Sequence, residues 1–231
     1  MSDGKRLFVG LRISVSTANA LAGAAETLAR RARDAGIDIK WVAPVNLHVT
    51  LKFLGWTRGD TIGAVRDAVS EASRQTPRFT IKVQRLGAFA SVDKANVLWA
   101  GVEEQSGALA ALAKRIDERC ATLGFAAEKR SFHPHVTLGR LRETRPLREV
   151  VLPLSEQMFG DTRVDSMTLF ESETKSSGSV YREVARIDFK TASEAPRSTS
   201  ERQTPAVSLG LADTGHETDD GWPRGHHHDD L

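Results

Sequence analysis

Two stretches of this chain decide its fold: "NLHVTLKFLG" at 46–55 and "SFHPHVTLGR" at 131–140, which share the string His-Val-Thr-Leu. Successive side chains of a strand point to opposite faces. His48 and Thr50 therefore face one way, with Val49 and Leu51 opposite. His135 and Thr137 repeat this, with Val136 and Leu138 opposite. The apolar pair of each strand is set to pack into a core. The His–Thr pair is presented to whatever lies over the other face.

The surroundings of the two strings repeat as well. Each is preceded by an apolar strand, "RLFVGLRI" from Arg6 and "NVLWAGVE" from Asn96. A helix follows in both. Leu21, Ala25, Leu28 and Ala32 make the apolar face of the first, with Gly36 placed to end it. Leu109, Leu112, Ile116, Cys120 and Leu123 make that of the second, with Gly124 as the stop. After each glycine a short strand is expected before the histidine-bearing one. Gly36 and Gly124 are 88 positions apart, and His48 and His135 are 87 apart. The second part of the unit repeats more loosely. "FTIKVQRLGAF" from Phe79 sits against "TRVDSMTLFES" from Thr162, both strand-like. The helix on Ile62, Val65, Val69 and Ala72 has its counterpart in "RPLREVVLPLSEQ", where Pro153 predicts a shorter or broken helix. The spacing thus predicts two copies of one βαββ-type unit over residues 1–190.

Composition sets the bounds. Of 231 residues, 40% are hydrophobic and 27% charged, ordinary for a globular chain. No run approaches the roughly 18 apolar residues of a membrane span, and "MSDGKRLFVGLRIS" lacks a signal peptide's apolar block. A single cysteine, Cys120, rules out an internal disulfide framework and a four-cysteine zinc site. It lies on an apolar helix stripe and reads as core. The expected location is the cytoplasm, and a monomer is the expected state. Residues 191–231 hold 3 Lys/Arg against 8 Asp/Glu and no apolar periodicity, so they read as a disordered acidic tail. The rest of the chain is correspondingly basic, which suits an anionic substrate such as nucleic acid or a phosphate ester, though charge alone fits a merely soluble surface equally.

Histidines are few. Outside the tail, with its His226–His228 run, and His216, only His48, His133 and His135 remain. A lone histidine on a half-buried strand is more often a structural hydrogen-bonder. Two identical strings at the spacing of an internal repeat reverse that reading. Two imidazoles on opposite sides of a phosphorus atom suit in-line displacement, one taking a proton from the attacking oxygen and the other giving one to the leaving oxygen. The threonine hydroxyls can donate to non-bridging oxygens. Neither a metal nor a cofactor is required. His133 and His135 form H-x-H, which can chelate zinc, but His133 precedes Pro134 without an acidic or cysteine ligand near it, and Asn46 holds its place in the first copy.

"NLHVTLKFLG" and "SFHPHVTLGR" resemble the paired H-x-T-x motifs of the two-histidine phosphoesterase superfamily. With "WVAPVNLH" and "RLFVGLRIS", the chain is similar to the RNA 2′,3′-cyclic phosphodiesterases, the family also called LigT, ThpR or 2′-5′ RNA ligases, over about residues 5–190. The resemblance implies a bilobal α+β fold, a pseudo-two-fold duplicated unit with two antiparallel sheets lining a central cleft and helices outside. It also implies metal-independent hydrolysis of an RNA 2′,3′-cyclic phosphate end to a 2′-phosphate. Carried over by position, His48 is the proton donor and His135 the proton acceptor, while Thr50 and Thr137 bind the phosphate oxygens. Arg140 matches a basic position used for the phosphate end. Strict alternation puts it on the face opposite His135, so it needs a bulge near Gly139. Phe53, its counterpart, suits base stacking or the core equally. The alternatives are a non-catalytic RNA-end binding module, which retention of all four His and Thr residues disfavours, and 2′-5′ ligation or a small cyclic-nucleotide substrate.

Overall fold

The computed structural model describes residues 4–175 and 178–189; the acidic tail with its histidine run lies outside them. Strand β1 (Gly4–Arg12) leads into helix α1 (Val15–Asp34), and a two-residue strand β2 (Lys40–Trp41) precedes β3 (His48–Arg58). Helix α2 (Ile62–Ser73) and strands β4 (Phe79–Ser91) and β5 (Lys94–Glu103) follow. Then come α3 (Ala108–Ala121), β6 (His135–Arg145), the one-turn α4 (Arg148–Val151), β7 (Met158–Val164), β8 (Ser166–Lys175) and β9 (Gly178–Asp188).

Both long helices stop as their glycines require. Gly36 takes φ +67° and Gly124 φ +89°, and the next N–H reaches back five residues, from Ile37 to Ala32 O at 2.8 Å and from Phe125 to Cys120 O at 3.2 Å. A left-handed residue there is what lets the chain turn and satisfy the last carbonyls. The buried faces are close to those expected. In α1, Ala24 replaces Ala25 beside Leu21, Leu28 and Ala32. In α3, Leu109, Leu112, Ile116 and Cys120 are buried, whereas Leu123 lies beyond the helix and is exposed. Burial pushes the Cys120 thiol up to about 11, so it is inert core. Pro153 breaks its helix: α4 gives way to a 3-10 turn at Leu152–Leu154.

All strand pairings are antiparallel, and their order is β7-β4-β5-β6-β3-β1-β8-β9, with β2 added on β6. The two sheets expected are therefore one sheet of nine strands, because β3 and β6 join at the single pair Val49–Val136. Two further expectations are corrected. The stretch "TRVDSMTLFES" is two strands, since the chain leaves β7 at Val164 and starts β8 at Ser166. No strand forms after Gly124. On β6, Gly139 leaves room for the chain entering β2, where the Ile39 side chain would lie 2.5 Å from a Cβ there. The matching place on β3 is filled by Lys52, whose Nζ takes the Ala126 carbonyl at 2.8 Å and Asp117 Oδ1 at 2.6 Å. A side chain, not a ladder, holds that segment.

One face of the sheet makes the core. Leu7, Val9, Leu11, Val49, Val136 and Leu138 pack with the buried stripes of α1, α2 and α3 in one cluster. The opposite face carries both histidines.

Candidate active site

Residues facing each other across β1 and β3 locate the first half of the site. Arg12, Gly10, Phe8 and Arg6 alternate evenly along β1 and pair with His48, Thr50, Phe53 and Trp56. Their spacing on β3 is uneven because Leu51 and Leu54 are each an extra residue, a bulge that re-aims the strand. Strand β6 has the same device. Trp99 pairs with Thr137 but Leu98 with Gly139, leaving Leu138 extra. The bulge that Arg140 needed is there, and Arg140 shares the face of His135 and Thr137. Phe53 holds the equivalent place on β3 and is 68% exposed, so it is no core residue.

The register fixed by Val49–Val136 continues to set His48 across from Thr137 and Thr50 across from His135. The histidines lie on a diagonal, a relation that separates residues of an antiparallel pair by about 7–8 Å.

Both rings are held in the same way. His48 Nδ1 donates to the Asn46 carbonyl at 2.6 Å, and His135 Nδ1 donates to the His133 carbonyl at 2.7 Å. A carbonyl only accepts, so each neutral ring keeps its proton on Nδ1 and offers a bare Nε2. In the first half, the Thr50 hydroxyl lies 3.1 Å from His48 Nε2. Asn46 and His133, each two places before its ring, serve this lock through backbone carbonyls, which side-chain identities do not reveal. It assigns His133 an orienting part. Among the described residues no three His, Cys, Asp or Glu side chains gather as a metal site.

Aromatic side chains wall each imidazole. Phe8, Tyr181 and Phe170 lie 4.8, 5.3 and 6.1 Å from His48 between ring centroids. Phe89 and Trp99 lie 5.0 and 6.4 Å from His135. Sequence reasoning missed this shell. Its signal was present in β1, where Phe8, Gly10 and Arg12 alternate on one face.

Burial chiefly, opposed by the Asn46 carbonyl and reinforced by His135, Arg12 and Arg140, holds His48 below the ordinary imidazole value of 6.5. Burial likewise lowers His135, against the His133 carbonyl and with help from His133 and Arg140. Both rings are thus neutral in the free protein at pH 7. A reaction needing one charged and one neutral ring finds that state most populated below pH 6.5. We expect kcat/KM to peak there and to fall about tenfold per pH unit above it. Arg140→Met removes a cation that depresses both rings, so both limbs of the profile should move to higher pH. An unmoved profile contradicts this placement of Arg140.

Comparisons with known proteins place the chain in a family and match its fold. Residues 19–176 match the family model of the 2′-5′ RNA ligase superfamily. The chain is 32% identical to an RNA 2′,3′-cyclic phosphodiesterase of Aeropyrum pernix over 155 residues, 66% of this chain and 87% of that one. It is 34% identical to the protein of that name from Aquifex aeolicus over 146 residues, 62% of this chain and 77% of that one. Among solved structures, a Thermus thermophilus protein shares the fold with a TM-score of 0.68 at 24% identity, covering 81% of this chain and 99% of that one. Escherichia coli LigT, solved with 3′-AMP, does so with 0.63 at the same identity and coverage. The antiparallel-sheet fold is thus shared architecture. The chain belongs to the 2′-5′ RNA ligase superfamily.

Proposed function

We propose that this protein is an RNA 2′,3′-cyclic phosphodiesterase that opens the cyclic ester to a 2′-phosphate without a metal. The observation that carries the reading is the pair of imidazoles, each locked through Nδ1, set diagonally about the β3–β6 seam. His135 Nε2 takes a proton from water as its oxygen attacks phosphorus. The bond to the 3′ oxygen breaks opposite, and His48 gives that oxygen its proton. Net, one water is consumed and the ring proton moves from His48 to His135. The phosphodiester anion supplies His48 with its charge: negative charge between the rings offsets the penalty that burial places on an imidazolium. Thr50 and Thr137 donate to the non-bridging oxygens, Arg140 neutralises the charge growing on them, and Phe53 stacks on the terminal base.

We also read the two halves as copies of one unit about an approximate two-fold axis at the seam. Matched bulges, matched helix ends and matched ring locks support this. So does the exchange of contacts. Arg31 of α1 donates to the Val150 and Glu149 carbonyls of α4, and Arg115 of α3 donates to Ala72 O and Thr76 Oγ1 at the end of α2.

The test is a short RNA ending in a 2′,3′-cyclic phosphate, incubated in EDTA, with the product's phosphate position read by phosphorus NMR. A 2′-phosphate is expected. A 3′-phosphate reverses the leaving group, and turnover abolished by EDTA but restored by a divalent ion overturns the metal-free reading. RNA bound without turnover in either condition supports the binding-module alternative instead.

A further inference from the structure

Two large aromatic side chains on the histidine face remain in solvent, Phe53 at 68% and Trp56 at 66% exposure. Trp56 belongs to that face because its partner on β1 is Arg6, in even alternation with Phe8, Gly10 and Arg12. Measured along β1, Trp56 lies six residues from His48, about 20 Å, and one step of about 7 Å beyond Phe53. The indole rests on backbone: a Cβ at Gly4 would meet Trp56 Cε2, Cζ2 and Nε1 at 2.6–2.7 Å. Near-equal distances to three ring atoms put the ring face over Gly4 and leave its other face open. Beside it runs a groove of about 510 Å³, lined by Gly4, Lys5, Arg6, Trp56 and residues 171–175. Arg6 is exposed and makes no ion pair or side-chain hydrogen bond among the described residues.

From these features we propose that Trp56, with Arg6, forms a second stacking site for the RNA strand running 5′ from the cyclic end, which makes the protein selective for oligonucleotides over mononucleotides. The inference rests on the phosphodiesterase reading for the position of that end. An exposed ring with one face supported and one open, a free guanidinium at its side and a line of further rings leading to the phosphate site is the make-up of a single-strand track. The fit is to one extended strand. A duplex would present phosphates and not base faces to these rings.

Two measurements on the full chain test this. The first is the affinity of a labelled tetranucleotide ending in a 2′-phosphate, for wild type and Trp56→Ala. The second is the ratio of kcat/KM for a tetranucleotide cyclic phosphate to that for 2′,3′-cyclic AMP. Loss of one base stack corresponds to about tenfold, and both affinity and ratio should fall by that much, with Trp56→Phe recovering most of it. Unchanged affinity together with an unchanged ratio overturns the track. Trp56-dependent binding without turnover of either cyclic phosphate supports the track while overturning the phosphodiesterase reading.

Discussion

His48→Ala and His135→Ala are each expected to lower kcat on an RNA cyclic phosphate by about 10²–10⁴-fold, the range contributed by one positioned proton-transfer group. Neither ring is needed to hold the sheet. Val49 and Val136 make the seam, and among the described residues each imidazole hydrogen-bonds to a carbonyl two residues earlier or to Thr50, none of which bridges two strands. Circular dichroism should therefore show folded variants. The two groups act in a single displacement, so their losses should not multiply. The double variant should be little slower than the worse single one. Losses that multiply, or turnover that survives either substitution, would mean that the rings do not serve one phosphorus atom.

The second large effect is on stability. Lys52 and Asp117 form an ion pair at 2.6 Å with side chains 6% and 23% exposed. Asp117 also accepts the Glu128 N–H at 3.1 Å. Burial works against the Asp117 carboxylate, yet the bonds from Lys52 and Glu128 hold it below the usual value of 3.8. Removing one partner of such a pair strands the other's charge, at a cost of about 3–5 kcal/mol. In a domain of this size Asp117→Ala should then lower Tm by roughly 10 °C, measured by thermal unfolding at pH 7. Because the folded carboxyl titrates lower than the unfolded one, its contribution is complete above pH 3.8 and is lost as pH falls through the folded value. The deficit of the variant should shrink in that acid range. A Tm within about 2 °C of wild type at pH 7 contradicts the assignment. The pair also links β3, four residues past His48, to the 126–128 segment that leads into the second motif, so activity should fall with stability.

Much of this was legible before any coordinates. Two His-Val-Thr-Leu strings at the spacing of two helix-stop glycines specify the strands, their faces and the histidine pair, because strand alternation and glycine stops are local properties. Arg140 was readable only with its bulge, and no single residue marks a bulge. Two successive buried positions do, Lys52 after Leu51 and Gly139 after Leu138, but burial is a tertiary fact. Lys52 reads as a surface cation in sequence; only the approach of α3 shows why it is buried. The ring locks run through backbone carbonyls, which every residue has. The seam pairing that merges two sheets into one depends on how two distant strands meet. Phe53 looks like a residue of the opposite face until the bulge at Leu51 is counted, and Trp56 keeps the histidine face only because the second bulge at Leu54 offsets the first.

The assignment of donor and acceptor is tested most directly by replacing the leaving 3′ oxygen of the cyclic phosphate with sulfur. A thiolate leaves without a proton, so a missing general acid should no longer matter. His48→Ala should then approach the wild-type rate on the sulfur substrate while remaining slow on the oxygen one. His135→Ala should remain slow on both, since water still needs its base. Rescue of His135→Ala would exchange the two roles, and rescue of neither would contradict acid–base catalysis by this pair.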